Sequence, residues 1–503
     1  MLRSEKLDLT ILLLITLLLS LIVFPRLYVI SMDGAFQYIP MAKLFALGAF
    51  REAFTSSGQQ PLYPFLVSWV SRGIGDFELA ARCVSSFFGI LLVVPAYFLG
   101  KRLFDRKVVL LSVLFLAVHP YLRRFSADAL KESTYLFFFA TALWFTLRAL
   151  QREQLFLFLL VSIFSGLAYL VRPDGLEPLF ALFFYIMVAR KFRGQAKRIN
   201  VILVLLLCSG LLLLPYLLHL KGTTGEWTLS KTKSITEFFG LTLLKDGPSL
   251  FQRLLYTVKT MVGEIQACFH PLFLLFMILG LAKTFSSGFR TGEGFLITVW
   301  GLHAAVLFLL ILNLTAWSTD KTSFALLFSR RHILPLFLLS IYWMGEGFFT
   351  LHAWISAKAA SHRLWRRFDP ARSSAVIAAV LLVLTLAMVL PKTLKPERYE
   401  RLSEKWAGIW IKNQSGKGAP IFTTLPRVAY YADGVYKPIG PQKDLLDQVH
   451  AAMGKKGATY LVMSEKEATL SLGVLDPGGA RFMEVMRYEK EGMEKIVIYR
   501  RTP

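Results

Sequence analysis

The sequence predicts a polytopic α-helical membrane protein with about eleven transmembrane helices and a small α/β domain at its C-terminal end. Apolar residues make up 55% of the 503 residues and charged residues only 18%, and the mean hydropathy is +0.52. A soluble chain of this length carries more charge. A helix needs about 20 apolar residues to cross a bilayer, and apolar stretches approaching that length recur until about residue 390.

The first apolar stretch, residues 9–25, is interpreted as a retained span. It follows a charged start, Arg3 to Lys6, and no small-residue cleavage site comes after it, as a removed signal peptide would require. Ten further spans are predicted at about 80–99, 108–120, 131–149, 155–171, 176–189, 200–219, 269–282, 294–313, 332–350 and 375–390.

The positive charges indicate the orientation. Lys and Arg are denser in the loops that alternation places inside, as in KRLFDRK and ARKFRGQAKR, and basic loops stay in the cytoplasm. The predicted protein lies in the cytoplasmic membrane, with its N-terminus inside and its C-terminal domain extracytoplasmic. The net charge of +24 is spread over these loops, which argues against a nucleic-acid partner.

The composition changes after Pro391, and two domains are predicted: residues 1–391 as the transmembrane catalytic domain and residues 392–503 as an extracytoplasmic α/β domain. Alternating or amphipathic patterns predict helices at WAGIWIKNQ and KDLLDQVHAAMGK and strands at PIFTT, TYLVMS, MEVMRY and KIVIYR. A scaffold or lid for the membrane domain is the interpretation favoured for this part.

Three carboxylates near the outer membrane face are candidate functional groups, because ionisable side chains at membrane depth are costly. Asp33 follows the first span and precedes Gly34; a helix cap is the alternative interpretation. Asp128 and Glu132 lie four residues apart and are expected on one face at the start of a helix. There the helix dipole alone favours acidic residues, and Lys131 offers local neutralisation of Asp128.

Arginines are expected at the same face. A guanidinium suits bidentate binding of phosphate and keeps its charge in a low-dielectric setting, although an interfacial arginine also snorkels to lipid headgroups. The candidates are Arg123, Arg124, Arg172, Arg330 and Arg331. Carboxylates and arginines on one side of a helical bundle suit a reaction on a membrane-anchored phosphate donor.

Taken together, these segments resemble the GT-C superfamily of membrane glycosyltransferases, in the family 39-like branch of protein O-mannosyltransferases and the lipid A aminoarabinose transferase. The similarity follows the chain in order, through MDGAFQYIPMAKLFALGAF, QQPLYPFLVSWV, ARCVSSFFGILLVVPAYFLGKRLF, SADALKESTYLFFF, SGLAYLVRPDGLEPL, SRRHILPLFLLS, APIFTTLPRVAYYADG and GATYLVMSE. Many members have two adjacent acidic residues after the first span. Here Gly34 follows Asp33, so a second carboxylate has to come from Asp128 or Glu132.

The resemblance implies transfer of a sugar, with inversion, from a polyprenyl-phosphate donor to a lipid, glycan or protein acceptor outside the membrane. It implies Asp33 as the base, the five arginines with Lys231 and Lys233 as donor-phosphate ligands, and Tyr38 and Tyr63 in the substrate pocket. No cofactor is required by the sequence; a divalent metal at the outer carboxylates stays open, since no ligand spacing demands one.

Two other function classes are weighed. A transporter or lipid-linked-sugar flippase also needs many spans, but it places ionisable residues near the midplane on broken helices with repeat symmetry. Here the unusual charges gather at one face and no repeat is visible. A non-enzymatic assembly or receptor protein is the third class.

Overall fold

The structure is a computed structural model, and it describes residues 3–188, 195–230, 249–290, 292–317, 329–361, 369–439, 460–467 and 482–501. The chain divides into two compact units. One unit comprises residues 1–24 and 41–394, and the other comprises residues 25–40 and 395–503. The predicted boundary at residue 391 stays a prediction, but a short segment after the first span belongs with the C-terminal residues.

The first unit is helical throughout its described part. Its helices are α1 (Arg3–Val23), α2 (Ile39–Ala46, which begins just before this unit), α3 (Phe50–Ser56), α4 (Leu62–Ile74), α5 (Phe77–Leu91), α6 (Val93–Gly100), α7 (Arg106–Val118), α8 (Pro120–Ala127), α9 (Glu132–Arg152), α10 (Leu155–Tyr169), α11 (Glu177–Val188), α12 (Gln195–Thr224), α13 (Leu250–Phe269), α14 (Pro271–Ser287), α15 (Glu293–Trp317), α16 (Leu334–Ser361) and α17 (Pro370–Thr393). Two 3₁₀ turns, Pro173–Leu176 and Arg330–His332, precede α11 and α16.

All eleven predicted spans fall on these helices. Within the described residues, seven continuous helices are long and apolar enough to cross a membrane, and two bent pairs raise the number to nine. The two remaining predicted spans correspond to α10 and α11, with 15 and 12 residues. The prediction of a polytopic helical membrane protein is therefore confirmed.

The two bent pairs have local causes. Between α7 and α8 the chain turns by 52°, where His119 adopts an extended conformation and Pro120 opens the next helix; proline is pre-organised for a first helical position. Between α13 and α14 the angle is 104°, and His270 at the break has a φ of 68°. The segment between the spans predicted at about 200–219 and 269–282 thus contains nearly all of a 20-residue helix, α13.

Close helix packing orients α14 against α16. A Cβ on Gly280 would lie 1.8 Å from the carbonyl oxygen of Trp343, and one on Gly347 would lie 1.8 Å from that of Phe276. Only glycine permits this approach of two backbones, and small residues at such contacts are typical of membrane helices. The 3₁₀ turn Arg330–His332 directly precedes α16 and is therefore attached to a closely packed helix.

The second unit contains a five-stranded sheet in the order β2-β1-β3-β5-β4. The strands are β1 (Pro420–Thr423), β2 (Val435–Pro438), β3 (Tyr460–Ser464), β4 (Phe482–Tyr488) and β5 (Ile496–Arg501), with helices α18 (Leu402–Ser415) and α19 (Pro426–Tyr431). β1 is parallel to β2 and β3, whereas β5 is antiparallel to β3 and β4. The predicted α/β domain, its first helix and its four strands are confirmed; the helix predicted at KDLLDQVHAAMGK lies outside the described residues.

Candidate functional site

Asp33 lies in the second unit, at the start of a π-helical turn, Gly34–Tyr38. Its own backbone is helical, with φ −63° and ψ −39°, and its side chain makes no capping hydrogen bond. Instead, Nε2 of Gln37 donates to Oδ1 of Asp33 over 3.4 Å. The capping interpretation is therefore not supported, and Tyr38 is buried in the same turn.

The segment just before Asp33 is bound to the C-terminal part of the chain. The amide of Ile30 donates to the hydroxyl of Tyr431 over 3.2 Å, and Nε of Arg427 donates to the carbonyl oxygen of Ile30 over 3.0 Å. Nη1 of Arg398 donates to the carbonyl oxygen of Val29 over 3.0 Å. The C-terminal residues thus hold the backbone that leads into Asp33.

The two other candidate carboxylates lie in the first unit, one after the end of a helix and one at the start of the next. Asp128 directly follows α8, and its Oδ1 accepts the Ala129 amide over 2.7 Å, whereas Glu132 is the first residue of α9. The prediction that they share a face at the start of one helix is wrong, because residues 128–131 separate the two helices. Both are almost completely buried, and neither carboxylate oxygen of Glu132 accepts a hydrogen bond within the described residues.

Tyr63, a predicted pocket residue, lies close to these carboxylates. Its hydroxyl contacts Oγ of Ser85 at 2.9 Å and donates to the carbonyl oxygen of Ala81 over 3.1 Å. Burial raises the pKa of Tyr63 well above its usual value, and Asp128 and Glu132 add to this. The phenol therefore stays neutral and acts as a hydrogen-bonding group.

Three cations gather round one ring, and we call Tyr121, Arg124, Arg330 and Lys392 the tyrosine cluster. The guanidinium carbons of Arg124 and Arg330 lie 5.5 and 5.3 Å from the ring centre, and Nζ of Lys392 lies 5.0 Å from it. Nη1 of Arg330 also donates to the Tyr121 hydroxyl over 2.6 Å. Nε of Arg330 lies 3.7 Å from a carboxylate oxygen of Glu264. The cluster thus brings three positively charged side chains to one ring.

Arg123 is placed quite differently from its neighbour. Its side chain is 1% exposed, and its Nη atoms donate to Oγ of Ser20 and to the carbonyl oxygen of Gly89 over 3.0 and 2.9 Å. These contacts connect α8 to α1 and α5. The structure favours a packing role for Arg123, and the sequence offered no signal that separates it from Arg124.

Arg172 forms a buried bidentate ion pair. Its Nε and Nη2 donate to the two carboxylate oxygens of Asp174 over 3.0 and 2.9 Å, and its guanidinium lies over the ring of Tyr135 at 4.9 Å. Burial alone would raise the pKa of Asp174, but the charge and hydrogen bonds of Arg172, together with the charges of His303 and His332, hold that pKa below its usual value. Nη1 of Arg172 also donates to the carbonyl oxygen of Arg331 over 3.4 Å.

A second buried pair lies beside the first and was missed at the level of sequence. Nδ1 of His303 in α15 lies 2.9 and 2.8 Å from the carboxylate oxygens of Glu177 in α11. Its Nε2 lies 3.0 Å from the carbonyl oxygen of His332. Both side chains are buried. His303 stands alone in an apolar stretch, and Glu177 lies 126 positions before it, so nothing in the sequence linked them.

Arg331 connects Arg172 to Glu132. Its carbonyl oxygen accepts from Arg172, and its Nε lies 3.9 Å from Oε1 of Glu132. The predicted residues Arg124 and Arg330 therefore come together in the tyrosine cluster, and Arg172, Arg331 and Glu132 form a neighbouring group. Lys231 and Lys233 lie outside the described residues. In the described part of the chain, no group of three His, Cys, Asp or Glu side chains is arranged to hold a metal ion.

Chemically, the tyrosine cluster is suited to an anion with several oxygens. Arginine offers a planar fork of donors and lysine a compact ammonium, and hydrogen bonds between charged partners are the strong ones. The Arg330 side chain is 46% exposed, so it is accessible to a ligand.

A family model matches the chain over residues 59–217, that of the dolichyl-phosphate-mannose-protein mannosyltransferases. This stretch includes Tyr63, Tyr121, the arginines at 123, 124 and 172, and the Glu177 carboxylate. A search of curated proteins gives no match.

Solved structures share the fold. ArnT from Cupriavidus metallidurans bound to undecaprenyl phosphate is 14% identical, with a TM-score of 0.58 and coverage of 97% of both chains. The archaeal oligosaccharyltransferase AglB from Archaeoglobus fulgidus, in complex with an inhibitory peptide and a dolichol-phosphate, is 15% identical, with a TM-score of 0.51 over 93% of this chain and 70% of that one. The mycobacterial arabinofuranosyltransferase AftD is 12% identical, with a TM-score of 0.50 over 98% and 41%. The resemblance and fold class predicted from the sequence are confirmed.

Proposed function

We propose that this integral membrane protein, which has the fold of the GT-C glycosyltransferases, moves a sugar from a polyprenyl-phosphate donor to an acceptor hydroxyl, with inversion. The observation that carries the proposal is the tyrosine cluster, where three cations and one phenol from α8, from the turn before α16 and from the end of α17 lie together. The undecaprenyl phosphate in ArnT and the dolichol-phosphate in AglB support the class of donor.

The leaving group explains why cations are needed. When the anomeric carbon is attacked, the bond to the phosphate oxygen breaks and the lipid phosphate departs as an anion. It needs no proton donor, but fixed positive charge stabilises the developing negative charge in the transition state. Arg330, Arg124 and Lys392 are assigned this role, and Arg331 assists from the next position in the turn.

Asp33 is assigned as the general base. The acceptor hydroxyl has to lose its proton as it attacks, and a positioned carboxylate contributes typically 10²- to 10⁴-fold to such a step. Glu132 and Asp128 are kept as second carboxylates, and Tyr38 and Tyr63 as pocket residues. A divalent metal is compatible with the proposal but not required by it.

The proposed setting is the cytoplasmic membrane, with the N-terminus inside and residues 392–503 extracytoplasmic. Residues 1–391 then provide the spans along which the lipid tail of the donor lies. The acceptor is a lipid, a glycan or a protein on the outer side.

The test is a transfer assay with the purified protein in proteoliposomes, using radiolabelled polyprenyl-phosphate sugars and a panel of lipid, glycan and peptide acceptors. The wild-type protein is expected to transfer label, and Asp33→Asn is expected to lose transfer by at least a hundredfold while keeping its thermal stability. Asp105→Asn is the matched control, because Asp105 is an exposed aspartate in the loop between α6 and α7.

Full activity of Asp33→Asn would remove Asp33 from the role of base. If the wild-type protein transferred no sugar from any donor of the panel, yet moved the intact lipid-linked sugar across the bilayer, the flippase alternative would replace the proposal.

A further inference from the structure

The 3₁₀ turn Arg330–His332 is held through its backbone by side chains from three separate helices or turns. Its three successive carbonyl oxygens each contact a side-chain donor. Cys268 Sγ lies 3.8 Å from the oxygen of Arg330, Arg172 Nη1 lies 3.4 Å from that of Arg331, and His303 Nε2 lies 3.0 Å from that of His332. Side-chain contacts thus hold the backbone of the turn in place, while the Arg330 side chain extends to the tyrosine cluster.

The shortest of these contacts fixes the hydrogen on His303. The carbonyl oxygen of His332 only accepts hydrogen bonds, so Nε2 of His303 has to carry a hydrogen. Nδ1 faces the carboxylate of Glu177. Whether the proton on that side resides on Nδ1 or on the carboxylate, Nε2 remains the donor. Glu177 therefore sets the tautomer and the ring orientation, as a hydrogen bond to the second nitrogen does in general.

The burial of these side chains carries a cost in folding free energy. His303, Glu177 and Arg172 are all nearly inaccessible, and buried charged groups cost several kcal/mol that their partners only partly offset. Asp174 fixes Arg172 through two hydrogen bonds, just as Glu177 fixes His303. Two carboxylates from the same short segment thus orient the two strongest donors to the turn.

We infer that His303 and Glu177 are positioning residues that present the Arg330–His332 turn to the donor phosphate. The inference rests on the proposed function, because it assigns the turn the task of binding that phosphate. The catalytic groups need to be held within a fraction of an ångström, and a 3₁₀ turn of three residues has too few hydrogen bonds of its own to provide this.

The experiment compares two amide variants of the same side chain. Nε2 of the glutamine in His303→Gln reaches about the position of the imidazole Nε2 and keeps a donor for the His332 carbonyl, whereas the shorter amide of His303→Asn reaches only about as far as Nδ1. The dissociation constant of polyprenyl phosphate and the KM and kcat of transfer are measured for both in nanodiscs. His303→Asn is expected to raise the dissociation constant and KM of the donor about five- to tenfold with kcat reduced less, and His303→Gln is expected to stay within about twofold of wild type.

Two further variants complete the design. Glu177→Gln is expected to bind donor nearly as wild type does, because its amide donates to Nδ1 and leaves Nε2 as the donor. His352→Leu is the matched control, since His352 Nε2 contacts another backbone carbonyl, that of Ser374, over 2.9 Å in the same unit. It is expected to leave donor binding unchanged.

The results separate the two proposals. If His303→Asn binds donor as tightly as wild type, or if the Asn and Gln variants are equally impaired, the positioning role is overturned. If joint replacement of Arg330 and Arg331 by methionine leaves donor binding unchanged, the phosphate-binding role in the proposed function fails instead. In a protein where both proposals hold, His303→Asn causes no additional loss of donor binding once these two arginines are replaced.

Discussion

Two neighbouring groups of charged side chains in the first unit differ in how their charges are arranged. In the tyrosine cluster, three cations lie round one ring, and Arg330, which is partly exposed, lies 3.7 Å from Glu264. In the buried pairs, Arg172 with Asp174 and Glu177 with His303, each nitrogen donor has its own carboxylate within hydrogen-bonding distance. The first group brings like charges together at one ring, whereas the second consists of matched pairs.

The difference indicates which charges are available to a ligand. In a buried ion pair, each partner satisfies the charge and hydrogen-bonding capacity of the other, so the pair mainly fixes the positions of the two side chains. Removing one partner leaves an isolated charge in a low-dielectric setting. A cluster of like charges at the surface is held together at some electrostatic cost, which an anionic ligand relieves. Arg172, expected from the sequence to bind phosphate, belongs to the first kind, and Arg330 and Arg124 belong to the second.

The largest expected effect is a loss of stability when one member of a buried ion pair is removed. Arg172→Met leaves the Asp174 carboxylate buried without its bidentate partner, and a cost of about 3–5 kcal/mol in unfolding free energy is expected. The measurement is thermal or SDS-induced unfolding of the protein in mixed micelles.

The matched variant is the double replacement of Arg172 by Met and Asp174 by Asn, which removes both charges and is expected to recover much of the loss. An Arg172→Met protein as stable as wild type would contradict the distinction between the two groups.

The next largest effect is expected in donor binding. Replacing Arg330 by Met removes a charged donor from the tyrosine cluster, and a charged hydrogen bond is worth about 1.5–3 kcal/mol. The dissociation constant of polyprenyl phosphate is therefore expected to rise about ten- to a hundredfold, whereas the unfolding midpoint changes little because exposed pairs contribute little to stability.

The variant Arg123→Met provides a contrast to Arg330→Met, because the Arg123 guanidinium is buried between helices and donates to Ser20 and Gly89. It is expected to lower stability and leave the affinity of the folded protein for the donor nearly unchanged. The reverse pattern for Arg123 and Arg330 would show that the two groups had been assigned to the wrong roles.

The smallest effect concerns pH. Burial, followed by the charges of Arg172 and Arg331, holds the pKa of His332 well below its usual value. The folded protein therefore keeps His332 neutral, while the unfolded chain takes up a proton near pH 6.5. The stability advantage is present above about pH 6.5 and is lost as the pH falls from there toward the folded-state pKa, by about 1 kcal/mol between pH 6.5 and 5.5. The non-titrating variant His332→Asn is expected to lack this part of the pH dependence when unfolding is followed across the same range.

The sequence predicted the helical segments well, because the bilayer requires long apolar stretches that are visible in the linear order of residues. The strands of the second unit were equally accessible through the alternation at TYLVMS and KIVIYR. The gathering of arginines was predicted as a tendency, since Arg330 and Arg124 flank apolar spans. Which arginine faces a ligand and which faces a neighbouring helix was not accessible, because Arg123 and Arg124 have the same chemistry and differ only in helix face.

Contacts between residues far apart in the sequence could not be predicted from local sequence patterns. Glu177 and His303 are 126 positions apart, and His303 stands alone in an apolar stretch. The prediction that Asp128 and Glu132 lie together at the start of one helix was wrong for a similar reason. Asp128 follows the end of one helix and Glu132 begins the next. Such features depend on how helices meet in three dimensions, which hydrophobic periodicity does not encode.

The hydrogen bonds from Arg398, Arg427 and Tyr431 to residues 29 and 30 have a consequence for biosynthesis. The backbone next to Asp33 is synthesised well before its partners, which lie 369 to 401 positions further along the chain. This segment therefore acquires these native contacts only after residues 398–431 have been made. A product truncated near residue 395 would carry the described helices of the first unit and still lack the side chains that hold the backbone next to Asp33.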